Sequence, residues 1–322
     1  MFNTKDYLKK RKEDQLSSIM NQYQIVNNNI TDNDPSTKQA VFLSSPSDLG
    51  VCRNGGRRGA CYGPQSIINN LKKMALSPNI SNDKLALFTV GNNELEAKDF
   101  DKAQKLYINS IHNIVKSYPS IPLIHLGGGH DHVYPLVCAI SQIHKKVNII
   151  NIDAHLDTRV DQANHSGTPF RQIGNELNNI NNIYQIGTHS YSNAANNYNK
   201  LQKTNMKIIT MDELKTETNN FQKSISPMLE GLNLFDEDAI TILSIDADVI
   251  SSTQMEGVSA VNPDGIPARY IEEVLNFYCK NYNGWKILGI YEHNPIYENL
   301  SMKGTKLISS LIYNFLVKNK KA

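Results

Sequence analysis

The sequence has no run of the ~18 consecutive apolar residues that a bilayer-spanning helix needs. Its opening stretch, MFNTKDYLKKRKEDQ, is charged from Lys5 onward, where a secretory signal would place an apolar core. Both absences lead to the expectation of a cytoplasmic protein with no membrane partner. Cysteine is scarce. Cys52, Cys61, Cys138 and Cys279 show no CxxC spacing, and a cytosolic compartment would keep them as free thiols, a Cys52 to Cys61 pair being the less favoured reading. Charge of one sign is not in excess either. The 33 Lys plus Arg against 31 Asp plus Glu leave a formal +2, too little to draw in nucleic acid. The basic patches Lys9 to Lys12 and Lys318 to Lys321 read as solvated helix ends. A small-molecule partner fits this balance better.

Signature loops for common cofactors are missing as well. LGGGHDH lacks the last glycine of GxGxxG, and GxxxxGK[ST] does not occur, which argues against dinucleotide and nucleoside triphosphate binding. Ser259 in GVSAV lacks the final glycine of a nucleophile elbow and follows no convincing strand-to-helix turn, which disfavours a serine hydrolase.

What is present is 40% hydrophobic and 20% charged residues, enough to build a substantial core. Eight apolar, β-branched runs recur between helix-length segments: 40–44, 85–90, 121–126, 147–152, 183–186, 207–211, 239–245 and 285–291. This alternation predicts an α/β fold, three layers α/β/α, with a mostly parallel sheet of about eight strands. Helices are expected over 64–74, 133–144, 267–282 and 300–317, and over a segment whose apolar face carries Ala103, Leu106, Tyr107, Ile111 and Ile114 and which ends at Pro119. With no repeat and no long linker, residues 1–322 read as a single domain. Ligands of open parallel sheets bind beyond the carboxyl ends of the strands, so the residues that follow each run carry the functional reading.

Those residues are unusual. GGGHD follows one run and presents His130 and Asp131; DAHLD follows another and presents Asp153, His155 and Asp157 at spacing two; DAD follows a third and presents Asp246 and Asp248. If the segments continue extended, the alternating side chains share one side. Two imidazoles and five carboxylates at one sheet edge would repel unless cations neutralised them. Oxygen-rich ligation with a minority of His suits Mn²⁺ better than a structural zinc site, and two ions could share and activate one water. Singly, GGGHD would be an ordinary turn and DAD a helix cap. Burying all three blocks together has little structural purpose.

These blocks resemble the three signature blocks of the ureohydrolase (arginase) family. GRRGACYGPQSI and GIYEHNP are similar to that family's first and last blocks, in the same chain order. The resemblance implies the arginase-like fold and two Mn²⁺ per subunit, one held by His130, Asp153, Asp157 and Asp246, the other by Asp153, His155, Asp246 and Asp248, with Asp153 and Asp246 bridging. It also implies that Asp157 orients the attacking water, that Asp131 supports the site from behind, and that Glu292 pairs with a cationic amidine or guanidine substrate, where a helix cap or surface acid is the plainer reading. A homo-oligomer, trimer or hexamer, is implied in the same way.

The loop after DAHLD reads NHSGTPFRQI, and VCRNGGRRGA and MEGVSAVNPDG depart from the arginase pattern too. All three resemble the formimidoylglutamase branch of the family. That branch implies hydrolysis of N-formimidoyl-L-glutamate to L-glutamate and formamide, with Ser166 where other members place a proton-shuttling His. Asp157 or His165 would protonate the leaving nitrogen. Ser166, Thr168, Arg58 and Asn193 are expected substrate contacts, with Arg57, Arg159, Arg171 and Thr188 also within candidate loops. His189 lines the pocket or is an ordinary loop histidine. The alternatives are arginine, agmatine or a guanidino acid as substrate, releasing urea, and a non-catalytic binding member of the family.

Overall fold

The computed structural model describes residues 39–74 and 85–319. The N-terminal basic patch and most of the C-terminal one lie outside them. All eight expected runs form strands: β1 (Ala40–Ser45), β2 (Leu85–Thr89), β3 (Leu123–Gly127), β4 (Val147–Ile152), β5 (Ile180–Thr188), β6 (Asn205–Thr210), β7 (Ile240–Asp246) and β8 (Ile287–Tyr291). They make one sheet in the order β2-β1-β3-β8-β7-β4-β5-β6, every pair parallel.

Ten α-helices accompany the sheet among the described residues: α1 (Leu49–Arg53), α2 (Gly63–Lys73), α3 (Asn93–Lys98), α4 (Phe100–Ser117), α5 (Val133–Ser141), α6 (Pro169–Glu176), α7 (Met211–Glu217), α8 (Ser226–Gly231), α9 (Ala268–Asn281) and α10 (Lys303–Lys318). Local chemistry starts several of them. Asp99 accepts from the Lys102 amide at the head of α4, Thr210 and Glu213 form a reciprocal capping box on α7, and Pro169 opens α6, where its missing N–H costs nothing. The short helices α1, α3, α6, α7 and α8 were not anticipated from periodicity, because each is too brief to show a 3.6-residue repeat.

The central strands are apolar almost throughout, yet residue parity sorts them cleanly. Ile124, Leu126, Ile150, Ile152, Leu243, Ile245, Leu288 and Ile290 pack with α2, α7, α8, α9 and α10 on one face. Leu123, Val147, Ile149, Ile240, Ile242 and Ile287 pack with α4, α5 and α6 on the other. Helices therefore cover both faces of a parallel sheet, the expected three layers. On α4 the buried stripe is Ala103, Tyr107, Ile111 and Val115, whereas Leu106, read as facing the core, is 47% exposed.

Chain direction across the sheet reverses beside β1, where the path returns from β2 to β3, and again beside β4, where it runs out to β6 and comes back to β7 and β8. Between these reversals lie the four neighbours β3, β8, β7 and β4. Such switch points open a crevice at the strand ends. Among the described residues no helix is long and apolar enough to cross a membrane.

Candidate metal centre

Each of those four strands delivers a functional side chain at its carboxyl end. β3 runs through Gly127 into the one-turn helix His130–His132; β4 stops at Ile152, just before Asp153; Asp246 closes β7; and Glu292 follows β8. The DAHLD segment does not continue the strand. It bends at Ala154 and His155, and Asp157 takes φ +49°, so convergence arises from the bend rather than from extended alternation. Glu292 is also left-handed, at φ +63°. Non-glycine residues in this region cost about 1–3 kcal/mol and cluster where function needs them.

His130 Nδ1 is 3.1 Å from Asp153 Oδ2, 3.1 Å from Asp157 Oδ2 and 3.1 Å from Asp246 Oδ2. A second group shares Asp153: His155 Nδ1 is 3.6 Å from Asp153 Oδ1 and 3.1 Å from Asp248 Oδ2. The two groups able to hold a metal are thus His130, Asp153, Asp157, Asp246 and Asp153, His155, Asp248. The first is the set implied from sequence. The second lacks Asp246, whose other oxygen accepts from the Asp248 amide at 2.8 Å. Asp153 bridges the two.

The donor chemistry fits divalent cations. His130 Nε2 lies 3.0 Å from Ser244 Oγ. If Nε2–H donates there, the Nδ1 lone pair faces three carboxylate oxygens, which is favourable only with a cation at their meeting point. One proton cannot satisfy all three. Burial works against a charged His130, but the surrounding carboxylates hold its pKa well above the usual imidazole value. Burial, and the Asp153 charge next, push Asp157 up to about 6, while burial, Asp248 and Asp153 raise Asp246 well above the carboxylate range. These acids cannot all ionise together without positive charge between them. Asp248 Oδ1 and His130 Nδ1 are buried with no hydrogen-bond partner, which leaves both available as ligand atoms.

The His130 ring is fixed on every side. It stacks on Tyr291 at 4.8 Å between centroids and meets the Phe170 ring edge-on at 5.4 Å. The Tyr291 hydroxyl is 3.0 Å from His125 Nδ1, and His125 Nε2 is 2.8 Å from Ser45 Oγ. Gly127 makes room for this tyrosine, since a Cβ there would approach its ring to 2.4 Å.

Above the ligands opens a cavity of about 460 Å³ whose floor includes His155, Asp157, Asp246, Asp248 and Glu292. Glu292 is 6% exposed, and its Oε1 accepts from the His130 amide at 3.0 Å. It is not a surface acid: it caps the first amide of the His130–His132 turn from within the cavity wall.

A model of the arginase family matches residues 38–317. The chain belongs to the arginase family. Among curated relatives of this arginase-family chain, the formimidoylglutamase of Staphylococcus haemolyticus is 30% identical over 280 residues, covering 86% of this chain and 85% of that protein. The formimidoylglutamase of Cupriavidus pinatubonensis is 28% identical and covers 86% of each. Among solved structures, the formimidoylglutamase of Bacillus subtilis superposes with a TM-score of 0.75 at 20% identity, covering 87% of each chain. Trypanosoma cruzi formiminoglutamase with Mn²⁺ gives 0.71 at 22%, covering 88% of this chain and 94% of that one. These superpositions establish the arginase fold.

The loop residues divide. Ser166 and Asn193, the expected substrate contacts of this stretch, line the cavity. Asn193, however, has its carbonyl on the Leu156 amide (2.8 Å) and its NH₂ on the His189 and Ala154 carbonyls (2.8 and 3.2 Å); it clamps the DAHLD bend. His165 and Thr168 are not among the lining residues. His165 Nε2 bonds Asp161 at 2.8 Å and its Nδ1 accepts from the Gly167 amide at 3.0 Å, while the Thr168 hydroxyl bonds the His165 backbone. Both shape the loop.

Arg58 is also displaced from its expected role: its side chain is 72% exposed and outside the lining, 4.0 Å from Asp48. Arg57 and Arg159 line the cavity in its place. Arg57 is braced by the Val258 and Ser259 carbonyls and stacks 3.9 Å above Tyr297. Arg171 points away, to the Thr158 carbonyl. His189 is buried and stacked on Tyr191, and Thr188 is buried at the end of β5. Neither lines the cavity. Asn54, Ser192 and Asn197 do line it and were not identified from sequence, and so does Ser259, weighed there only as a nucleophile. The asparagine-rich stretch 175–199 was the available signal for Asn197.

Proposed function

We propose that the chain hydrolyses N-formimidoyl-L-glutamate to L-glutamate and formamide, using two Mn²⁺ ions held by His130, Asp153, Asp157 and Asp246 and by Asp153, His155 and Asp248. The observation that carries this reading is the pair of ligand groups sharing Asp153 directly beneath a cavity that also holds Glu292. The curated relatives named formimidoylglutamase support the substrate choice. So does Ser166, which gives the wall a hydroxyl where an imidazole shuttle would otherwise stand.

When bound, such an ion pair lowers the pKa of a water between the carboxylates toward neutrality. The protein's own groups do the rest. Glu292 is pinned through Oε1 by the His130 amide and offers its other oxygen to the protonated amidine, aiming the single electrophilic carbon at the water. Burial and the nearby Asp246 raise Glu292 well above the carboxylate range; a cationic substrate relieves this by matching the charge. Arg57 and Arg159 face the same cavity and suit the two carboxylates of the glutamate moiety. Asp157 takes a proton from the attacking water and returns it to the departing nitrogen. C–O forms, C–N breaks, and the amino group of glutamate leaves with the proton. We place the reaction in the cytoplasm, where the thiols of Cys52, Cys138 and Cys279 stay reduced.

The test is a substrate panel assayed with Mn²⁺. Glutamate and formamide should appear from N-formimidoyl-L-glutamate. Faster urea release from arginine, agmatine or a guanidino acid would overturn the substrate assignment.

A further inference from the structure

Glu96, Asp131 and His132 form another group able to hold a metal, and none of the three belongs to the two ligand sets already described. Glu96 comes from α3; Asp131 and His132 come from the turn that follows β3. They are 2%, 1% and 0% exposed. His132 Nε2 is 3.5 Å from Glu96 Oε1 and 3.8 Å from Asp131 Oδ2, beyond hydrogen-bonding range. Those three atoms, together with the second Asp131 oxygen and the second His132 nitrogen, are buried without a hydrogen-bond partner. One atom from each residue lies within 4.8 Å of the others, and buried orphans gathered in this way are rare, because each costs about 1–3 kcal/mol when left unsatisfied.

The surroundings aim the group inward. Ser47 Oγ donates to the other Glu96 oxygen, and the Tyr107 ring closes one side 5.9 Å from the His132 ring. A Cβ on Gly50 or Gly129 would come within 2.0 or 2.3 Å of Asp131 Oδ1, so bare backbone is what admits this carboxylate. With a neutral imidazole, two carboxylates match a divalent cation. Ligand atoms about 2.1 Å from a tetrahedral ion stand about 3.4 Å apart, close to the separations seen here.

We propose that Glu96, Asp131 and His132 bind a third divalent transition-metal ion, which clamps α3 to the β3 turn and so fixes the backbone that carries His130. One nitrogen and two oxygen donors suit Zn²⁺ or Mn²⁺. The role is structural, since none of the three lines the cavity above the catalytic ligands.

The test is metal content. After loading the full chain with Mn²⁺ or with Zn²⁺ and desalting it, mass spectrometry of the metals should find about three ions per chain. His132→Gln and Glu96→Gln should each lower this by about one ion, and Asp246→Ala should lower it while leaving the third ion in place. About two ions per chain in the unaltered protein, unchanged in His132→Gln but reduced in Asp246→Ala, would overturn the third site and leave the catalytic reading standing. Should both glutamine variants fold poorly, anomalous scattering from crystals of the metal-loaded protein decides: a peak among these three side chains supports the ion, and a water or nothing there refutes it.

Discussion

At the ends of β3, β4, β7 and β8 side chains point at one another; in the loop that follows β4, His165 and Thr168 turn to partners within four residues of themselves. His130, Asp153, Asp157 and Asp246 share one meeting point, with distances of 3.1 Å that leave little freedom. His165 and Thr168 are just as buried, yet their polar atoms are engaged within four residues of themselves. Burial of a polar residue is therefore a poor guide to chemistry. What matters is whether its partners come from distant parts of the chain, because only then has the fold brought the groups together for a reason beyond closing a turn.

Breaking the strand-end side of this contrast should have the largest effect. Asp246→Ala removes an oxygen 3.1 Å from His130 Nδ1 and the acceptor of the Asp248 amide. Turnover should fall by at least about 10³-fold, roughly 4 kcal/mol of transition-state stabilisation. The chain should remain folded by circular dichroism, since deleting one of several mutually repelling acids relieves charge. Near-normal kcat/KM in a variant that still binds two catalytic ions would contradict the convergence on which the reading rests.

Glu292→Gln tests the same edge one step from the ligands. The amide keeps an acceptor for the His130 N–H and tolerates the left-handed backbone no worse than the acid, but it loses the charge offered to a cationic amidine. A charge-assisted hydrogen bond contributes about 1.5–3 kcal/mol, so kcat/KM should drop about 10- to 100-fold. Metal content should not change. An unaltered kcat/KM would remove Glu292 from the site.

The same contrast explains what could be read from the sequence. The eight strands were legible because strands covered on both faces need uninterrupted apolar runs, and the candidate ligands were legible because so many acids and histidines directly after such runs exceed what turns and caps require. Asp246 was harder. Whether its second oxygen bridges or caps the Asp248 amide depends on one rotation that composition does not encode. Arg57 and Arg58 are adjacent and chemically identical, and it is contacts far along the chain, the Val258 and Ser259 carbonyls and the Tyr297 ring, that turn Arg57 inward. Glu96 gave no signal at all, because a glutamate in a six-residue helix looks like a solvated one until the turn beside His130 is folded against it.

The smallest effect is expected where sequence pointed most directly to catalysis by a loop residue. His165 Nε2 binds Asp161 and its Nδ1 accepts from the Gly167 amide, which leaves no ring nitrogen to exchange a proton with a substrate. His165→Gln should therefore change kcat by no more than about threefold, while losing roughly 1 kcal/mol of stability for the loop bond it cannot remake. A proton shuttle, by contrast, contributes about 10²–10⁴ in rate. Measuring kcat at saturating substrate together with the thermal midpoint separates the two. A hundredfold fall in kcat with unchanged melting and metal content would mean that the loop opens during turnover and delivers His165 to the cavity, and the division between strand-end chemistry and loop scaffolding would have to be redrawn.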